Sequence, residues 1–486
     1  MSRSTRQAGV LLHPTSLPGS SGIGEIGPAA RQFVEWLAAS GHAIWQLLPI
    51  HPADQHGCMY ASSSAHAGDP LMVSLDDLLR DGWLKPSERP YAQPTTRVDF
   101  RAVAARKAIA LALAADRIAA DVDLDAFAAA HSWAEPFALY DALAQAHGPD
   151  WTRWPTAVRD REDHALEVAR DVHGRAIRRA LALQWAFEGQ WAALREHARA
   201  HGVALWGDLP YFVGHFSADV WHDPAGWRLD AEGMPTVVSG VPPDAFSPTG
   251  QLWGHPLYDD AVRAERGHRG WRDRMDTALR RHDVVRIDHF RGVSAVWEIP
   301  AGAADASGGR WVDGPGKALL AALAEDHPTL PLIAEDLGVI TPDVEALRDG
   351  FDLPGMAILQ FAFPSDDHIY QPHRHQRRLV VFTGTHDNDT LRGWQQHASG
   401  ASVDRARRYL ASNDASLPWA MCRAAWQSVA ETAIVPMQDL LGLGPDARMN
   451  VPGVQEGNWA WRMGAGAMSV ALAGRLREQL VLAGRA

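Results

Sequence analysis

The chain is poor in the residues that build disulfide frameworks and cysteine metal sites. Its 486 residues include only two cysteines, Cys58 and Cys422. Two cysteines cannot form the several cross-links of a small secreted scaffold, nor a zinc site of four thiolates. Lysine is also rare, since only Lys85, Lys107 and Lys317 belong to the 46 basic residues. The 58 acidic residues outnumber those bases, giving a formal net charge of −12. That charge disfavours binding to the phosphate backbone of nucleic acids, so we expect no nucleic-acid partner.

Long apolar runs are missing too. No stretch approaches the roughly 18 consecutive apolar residues that a membrane helix needs. The residues after Met1 contain too few apolar side chains for the core of a signal peptide. We therefore expect a cytoplasmic protein that does not bind membranes.

Short apolar runs, in contrast, recur along the whole chain and alternate with segments of helical length. One such helix is indicated by Ala30, Phe33, Val34 and Leu37, which recur at helical spacing after Pro28. Alternation of this kind is typical of a (β/α) architecture with parallel strands. Eight candidate strands begin near Gly9, Ala43, Val203, Val284, Pro331, Met356, Leu379 and Thr432. The prediction is a single (β/α)8 TIM barrel spanning residues 1–486.

The uneven spacing of these runs predicts two insertions. Residues 71–200 are rich in Ala, Arg, Leu and Asp with helical periodicity, which indicates a mainly helical subdomain after the second strand. Residues 219–260 are dense in Gly, Pro, Asp and Trp and lack clear periodicity. We interpret them as a long ordered loop carrying an active-site lid, because loops of that length in compact proteins are usually functional.

One glycine motif resembles a nucleotide-binding fingerprint. Residues 22–27 (GIGEIG) match G-x-G-x-x-G before a helix, but Pro14 and Pro18 intervene between the motif and the first strand. The second strand runs into Leu48 and Pro49 rather than ending at an acidic residue. A dinucleotide site needs both a tight strand-to-helix turn and that acid, so we interpret the motif as a glycine-rich turn and expect no cofactor.

Three of the apolar runs end at acidic residues in polar clusters, at 284–289, 332–336 and 380–389. Strands of a parallel barrel all open onto one face, and that face carries the active site. A retaining glycosidase needs one ionised carboxylate as nucleophile and a second, protonated one as acid/base, roughly 5 Å apart. Arg286 lies two positions before Asp288 and therefore on the same side of the strand, which suits Asp288 as the ionised nucleophile.

Glu335 follows an apolar run, and such surroundings raise the pKa of an acid/base. Asp336 points to the opposite side and is interpreted as structural. Asp387 and His386 are expected to hold the hydroxyls of a sugar ring. Each acid taken alone could equally form an ion pair or cap a helix, and a His–Asp pair could also bind a metal ion. We expect no metal at the site.

The motifs as a set resemble the amylomaltases, or 4-α-glucanotransferases, of glycoside hydrolase family 77 in the α-amylase superfamily. The resemblance covers nearly the whole chain and rests on residues 13–19 (HPTSLPG), 207–210 (GDLP), 217–221 (SADVW), 240–247 (GVPPDAFS), 250–254 (GQLWG), 285–292 (VRIDHFRG), 334–338 (AEDLG), 384–390 (GTHDNDT) and 456–459 (EGNW). It implies the same catalytic roles for Asp288, Glu335 and Asp387.

The resemblance further implies an enzyme that moves α-1,4-glucan segments between maltooligosaccharides through a covalent glycosyl-enzyme, with α-glucan donors and glucose or maltooligosaccharide acceptors. A lid over residues 240–253 would favour transfer over hydrolysis, because it keeps water from the intermediate. The substrate-binding residues expected on this basis are Arg286, His289, His386, Tyr60, Asp208, Trp253, Phe361 and Asn458. A retaining α-glucan hydrolase on the same fold and a non-catalytic glucan-binding protein are the alternatives.

Overall fold

Eight parallel strands form a closed barrel at the centre of the computed structural model, which describes residues 6–54, 56–91, 95–243 and 247–486. The chain contains twelve strands within these ranges: β1 (Gln7–Leu11), β2 (Ile44–Gln46), β3 (Ala204–Leu209), β4 (Val237–Val241), β5 (Gln251–Pro256), β6 (Val284–Ile287), β7 (Ala295–Pro300), β8 (Arg310–Asp313), β9 (Leu332–Ala334), β10 (Gly355–Ile358), β11 (Leu379–Phe382) and β12 (Thr432–Pro436).

The barrel strands follow the order β10-β11-β12-β1-β2-β3-β6-β9, and every neighbouring pair is parallel. The amide of Ala334 at the end of β9 donates to the carbonyl of Pro354, just before β10, at 3.0 Å and brings the two edges together. The eight predicted strand starts each fall within a few residues of these eight strands. The (β/α)8 prediction is therefore confirmed.

The strands read as almost continuous apolar runs because side chains on both faces are covered. Val10, Trp45, Leu205, Val381 and Ile434 are all fully buried. This is the pattern of parallel sheets, whose inner face packs in the barrel and whose outer face packs under helices.

Helices surround the barrel and fill the insertion. They are α1 (Pro28–Ala39), α2 (Leu75–Arg80), α3 (Phe100–Asp121), α4 (Leu124–Ala130), α5 (Ala134–His147), α6 (Thr156–Arg159), α7 (Asp163–Ala200), α8 (Ala218–His222), α9 (Asp260–Glu265), α10 (Arg269–Arg281), α11 (Arg291–Ser294), α12 (Gly316–Asp326), α13 (Pro342–Gly350), α14 (Leu391–His397), α15 (Gly400–Tyr409), α16 (Leu417–Gln427), α17 (Met437–Leu440) and α18 (Val470–Leu482). Helix α1 begins at Pro28 and buries Ala30, Phe33, Val34 and Leu37, as the periodicity predicts.

Helices α2 to α7 occupy the region between β2 and β3, where the sequence predicts a helical insertion. Helix α7 is 38 residues long and leads directly into β3, so its last part also covers the barrel. Gln184 of this helix pairs through its side-chain amide with both backbone groups of Gly68, and Gln190 does the same with Ser74. These four hydrogen bonds tie the segment that follows Tyr60 to the insertion.

The segment 219–260 is more regular than its composition suggests. It contains β4 and β5, which pair antiparallel and join β7 and β8 in a second, four-stranded sheet of order β5-β4-β7-β8. The sequence interpretation of one long loop missed these strands because Gly, Pro and Trp interrupt the apolar alternation. The predicted lid, residues 240–253, is the connection between β4 and β5 with its flanking strand ends; its residues 244–246 lie outside the described part of the chain.

The G-x-G-x-x-G segment forms a tight turn ahead of α1. The amide of Gly24 donates to the carbonyl of Thr15 at 2.9 Å, and a Cβ at Gly24 would lie only 1.9 Å from the carbonyl oxygen of Pro14. Close approach of two backbone segments therefore explains this glycine without a phosphate ligand.

Candidate active site

Asp208, Arg286 and Asp288 form a hydrogen-bonded chain at the carboxyl ends of β3 and β6. Asp208 and Arg286 are paired in the parallel ladder, so their side chains lie beside each other. Arg286 Nη1 donates to both carboxylate oxygens of Asp208 at 2.7 Å, and Nη2 donates to Asp288 Oδ1 at 2.8 Å. The side chains of Arg286 and Asp208 are 5% and 1% exposed, while that of Asp288 is 29% exposed. Asp288 is thus the member of the three that faces the cleft.

Glu335 stands next to Asp288 on the neighbouring strand. Ile287 and Ala334 are partners in the β6–β9 ladder, and the residues that follow them are Asp288 and Glu335. Neighbouring strands lie about 4.8 Å apart, so this register places Asp288 and Glu335 on adjacent strand ends, as retaining glycosidases place their two acids. The backbone amide of His289 donates to Glu335 Oε2 at 2.8 Å and orients that carboxyl group.

The two acids differ in their electrostatic surroundings. Burial raises the pKa of Glu335 well above its usual value, and the nearby charges of Asp288 and Asp336 act in the same direction against Arg286. Asp288, in contrast, accepts a hydrogen bond from the guanidinium of Arg286. Burial alone would disfavour the positive charge of that guanidinium. The charges of Asp208 and Asp288 outweigh that burial and raise the pKa of Arg286 well above its usual value. Glu335 is therefore suited to carry a proton beside Asp288.

Asp387 lies in the loop after β11 and is held by residues distant in sequence. Asn450 Nδ2 donates to Asp387 Oδ1 at 2.6 Å, and His386 Nε2 lies 3.4 Å from the same oxygen. The Arg448 guanidinium donates to the backbone carbonyl of Asp387. The Asp387 side chain is 44% exposed, and its second oxygen has no hydrogen bond from the residues that the structure describes, so it can meet a ligand in the cleft.

Tyr60 connects the two halves of the site. Its hydroxyl donates to Asp208 Oδ2 at 2.8 Å, and its ring stacks on His386 with centroids 5.2 Å apart. Burial, assisted by the charge of Asp208, raises the pKa of Tyr60 well above its usual value, which keeps the hydroxyl a donor. Through this contact the Asp387 loop faces the Asp208–Arg286–Asp288 chain across the barrel mouth.

Trp253 and His289 line the side of the cleft formed by the second sheet. Trp253, on β5, meets the His289 ring edge-on with centroids 4.8 Å apart. Burial lowers the pKa of His289 to about 4, although the charge of Asp288 opposes this, so the ring is neutral near pH 7. His289 also has a positive φ of 52°, and this conformation turns the chain immediately after Asp288.

Two predicted substrate-binding residues have a different setting. Asn458 uses its amide within its own loop, accepting from the Val451 amide at 3.0 Å and donating to the carbonyls of Val451 and Val454. Its side chain therefore shapes the segment that carries Asn450. Phe361 is half-buried in the single turn of 3-10 helix after β10, on the same end of the barrel as the acids.

Asp336 points away from the cleft, as the sequence predicts. It accepts from the Met356 amide at 2.7 Å and pairs with Arg348 on α13. These contacts join β9 to β10.

Sequence reasoning missed Asn450, Arg448 and His255. His255 on β5 stacks against Phe212, which packs on His289, and its Nδ1 lies 3.1 Å from the Ser239 hydroxyl. None of the three follows an apolar barrel strand, so the strand-end signal could not reveal them.

None of the helices in the described part of the chain has the length and apolarity that a membrane crossing requires.

Comparison with known proteins agrees with this geometry. The family model described as 4-alpha-glucanotransferase matches residues 12–467. A 4-alpha-glucanotransferase of Thermus thermophilus is 44% identical over 97% of each chain. A chloroplastic/amyloplastic 4-alpha-glucanotransferase of Arabidopsis thaliana is 41% identical over 99% of this chain and 86% of its own length. The solved structure of the Streptococcus agalactiae amylomaltase in complex with acarbose superposes with a TM-score of 0.95 at 32% identity, covering 99% of both chains.

A parallel barrel with paired carboxyl groups on adjacent strand ends defines an enzyme of glycosidic bonds. More narrowly, the chain belongs to the 4-alpha-glucanotransferase family. Its activity is the transfer of α-1,4-glucan segments between maltooligosaccharides, with α-glucans as donors and oligosaccharides as acceptors.

Proposed function

We propose that Asp288 is the nucleophile, Glu335 the acid/base and Asp387 the group that holds the donor sugar in this transferase. The observation that carries the proposal is the β6–β9 register, which sets Asp288 and Glu335 side by side with Arg286 bonded to Asp288.

The reaction has two displacements. In the first, an Asp288 oxygen attacks the anomeric carbon, the bond from that carbon to the glycosidic oxygen breaks, and Glu335 gives its proton to the leaving oxygen. The shortened glucan departs with a free 4-hydroxyl. In the second, the 4-hydroxyl of an acceptor gives its proton to Glu335 and attacks the same carbon, which releases Asp288. One glycosidic bond is broken and one formed, so the number of reducing ends does not change.

Asp288 suits the first role because Arg286 donates to one of its oxygens while the other remains available. The guanidinium is itself fixed by two short contacts to buried Asp208. A positive charge held in this way lies beside the attacking group and needs little rearrangement during the reaction.

Glu335 suits the second role because burial raises its pKa, so the carboxyl keeps its proton to higher pH than a free glutamate does. The hydrogen bond from the His289 amide ties its position to the residue that directly follows the nucleophile. The same group can therefore donate a proton in one displacement and accept one in the next.

The donor site is completed by four further residues, Asp387, His386, Tyr60 and Trp253. Asp387 offers its free carboxylate oxygen to neighbouring ring hydroxyls, and His386 adds a donor beside it. Trp253 provides a half-buried indole face of the kind that packs on sugar rings. A lid formed by residues 240–253, as the sequence predicts, would favour a sugar hydroxyl over water as the acceptor; residues 244–246 of this segment lie outside the described part of the chain.

Incubation of the protein with maltotriose tests the proposal. A ladder of longer and shorter glucans with a constant number of reducing ends is the result expected from transfer. Reducing ends that rise with time would instead show a retaining hydrolase.

The residue assignment is tested with Asp288→Asn, for which we expect loss of transfer by at least about 10⁴-fold with the fold intact. Asp283→Asn is the matched control, because Asp283 lies at the opposite end of β6 and bonds the Leu205 amide and Arg195. The control should keep its product ladder. Near-normal transfer by Asp288→Asn would refute the assignment.

A further inference from the structure

Three potential metal ligands meet where α7 packs against α1, away from the cleft. They are Glu35 on α1, His197 in the last turn of α7 and His201 at the end of that helix. One ligand atom from each residue lies within 4.8 Å of the others. Both helices end just before the amino ends of barrel strands, so the cluster lies near the face of the barrel opposite the catalytic acids.

The two histidines have the spacing of a helical metal pair. Residues i and i+4 share one face of a helix, and this arrangement recurs in zinc-binding helices. The sequence contains this H-x-x-x-H pattern at residues 197–201. Our sequence-based expectation of no metal rested on finding no H-x-x-x-H partner for the active-site His–Asp pair, and it overlooked this pattern.

The separation of one pair of ligand atoms fits a small divalent ion, and His201 offers an atom within 4.8 Å of both. His197 Nε2 lies 3.3 Å from Glu35 Oε1. Two ligands bound tetrahedrally to zinc, each about 2.0–2.1 Å from the ion, are separated by about 3.3–3.4 Å. This His197 nitrogen is buried and forms no hydrogen bond with any residue that the structure describes.

The ring of His201 is held by a hydrogen bond to its own helix. Its Nδ1 lies 2.8 Å from the carbonyl oxygen of His197. A carbonyl only accepts, so Nδ1 carries the proton and Nε2 is left with a free lone pair. Ligating histidines are commonly fixed in this way by a hydrogen bond from their other nitrogen. The site also lies at a helix carboxyl terminus, whose partial negative charge favours a cation.

We propose that Glu35, His197 and His201 bind one zinc ion, with water completing the tetrahedral coordination, and that the ion pins the end of α7 to α1. The role is structural, because none of the three residues reaches the cleft. Three nitrogen and oxygen ligands select zinc-like transition ions over magnesium or calcium, which prefer six or more oxygen ligands.

The first test measures zinc stoichiometry by equilibrium dialysis of the full-length protein against ZnCl2 after treatment with a chelator. We expect one tightly bound equivalent in the unsubstituted protein. His201→Ala and Glu35→Gln should each weaken binding roughly tenfold or more, the scale reported even for loss of a group that only supports a ligand. The matched control is His164→Ala, since His164 is 89% exposed and lies 3.9 Å from Glu167 without a second histidine.

The second test measures the midpoint of urea unfolding with and without ZnCl2. Zinc should raise the midpoint of the unsubstituted protein and of His164→Ala, because a ligand that binds only the folded state stabilises it. It should not raise that of His201→Ala. The maltotriose ladder without zinc should be unchanged by His201→Ala, which shows that the variant is folded and separates this proposal from the catalytic assignment. Equal zinc binding by His201→Ala and the unsubstituted protein would overturn the proposal, as would a zinc effect that follows His164.

Discussion

Replacement of Arg286 by methionine removes the one cation that Asp208 and Asp288 share. Methionine fills a similar volume but provides no donor, so it deletes three short contacts to two carboxylates. Asp288 is 29% exposed and can recover water, whereas Asp208, with 1% exposure, cannot. Among the described residues, Asp208 would keep only the hydroxyl of Tyr60 as a side-chain donor. The stability cost therefore comes mainly from Asp208.

Breaking a buried ion pair by removing one partner costs about 3–5 kcal/mol, and we expect the free energy of unfolding to fall by that amount near pH 7. Burial raises the pKa of Asp208, and Arg286 opposes that shift. Without Arg286 the folded protein holds this proton more tightly than the unfolded chain does. Because the pKa of Asp208 is already raised in the unsubstituted protein, the variant loses stability relative to that protein as pH rises from this folded-state pKa toward the still higher pKa of the variant. At acid pH the two proteins should differ little.

Urea unfolding at several pH values, followed by circular dichroism, measures this loss. The second variant is the double substitution Asp208→Asn with Arg286→Met, which removes the uncompensated charge. It should be more stable than Arg286→Met alone, yet it should still lack transfer activity, because the cation beside Asp288 is gone. A loss below about 1 kcal/mol at pH 7, or a double variant no more stable than the single one, would refute the reasoning.

Two further predictions concern the acids themselves. Because its pKa is raised, Glu335 keeps its proton to higher pH than a free glutamate, and transfer should fall on the alkaline side as that proton is lost. Glu335→Gln should abolish this alkaline limb of the pH profile and lower kcat with maltotriose by about 10²–10⁴-fold. A glycosyl fluoride donor has a leaving group that needs no proton, so with this donor the variant should form the intermediate at a less reduced rate. Equal loss with both donors would argue against Glu335 as the acid. Asn450→Ala removes the 2.6 Å donor to Asp387 and should lower kcat/KM about tenfold, or about 1.4 kcal/mol. The control Gln455→Ala, in the same loop, should not lower kcat/KM. Equal activities of the two variants would show that Asn450 does not position Asp387.

The barrel and its strand-end acids could be predicted because a parallel strand leaves a local signature. A buried run such as that of β6 must be apolar on both faces, and the first polar residue after it lies at the barrel mouth. The two-residue spacing of Arg286 and Asp288 could be interpreted in the same way, since it fixes the side of the strand. For these residues, the chemical role and the position on the strand could both be inferred from neighbouring residues in the sequence.

The remainder of the site depends on contacts between distant parts of the chain. Tyr60 reaches Asp208 across 148 positions, and Asn450 reaches Asp387 across 63. No periodicity links such residues, because their meeting is set by how the loops fold over the barrel. The strands β4 and β5 were missed for a related reason: β5 pairs with β4, and β4 in turn pairs with β7, which follows a barrel strand.

The contacts of Asp208 also explain why an acid is buried where it takes no direct part in the reaction. A lone arginine beside Asp288 would be free to swing toward solvent, and its charge would then help the nucleophile only part of the time. Asp208 holds the guanidinium through two oxygens and is held in turn by Tyr60, whose ring packs on His386. The burial that disfavours the charge of Asp208 is thus the same burial that keeps Arg286 in place, and the donor site is aligned before a glucan enters.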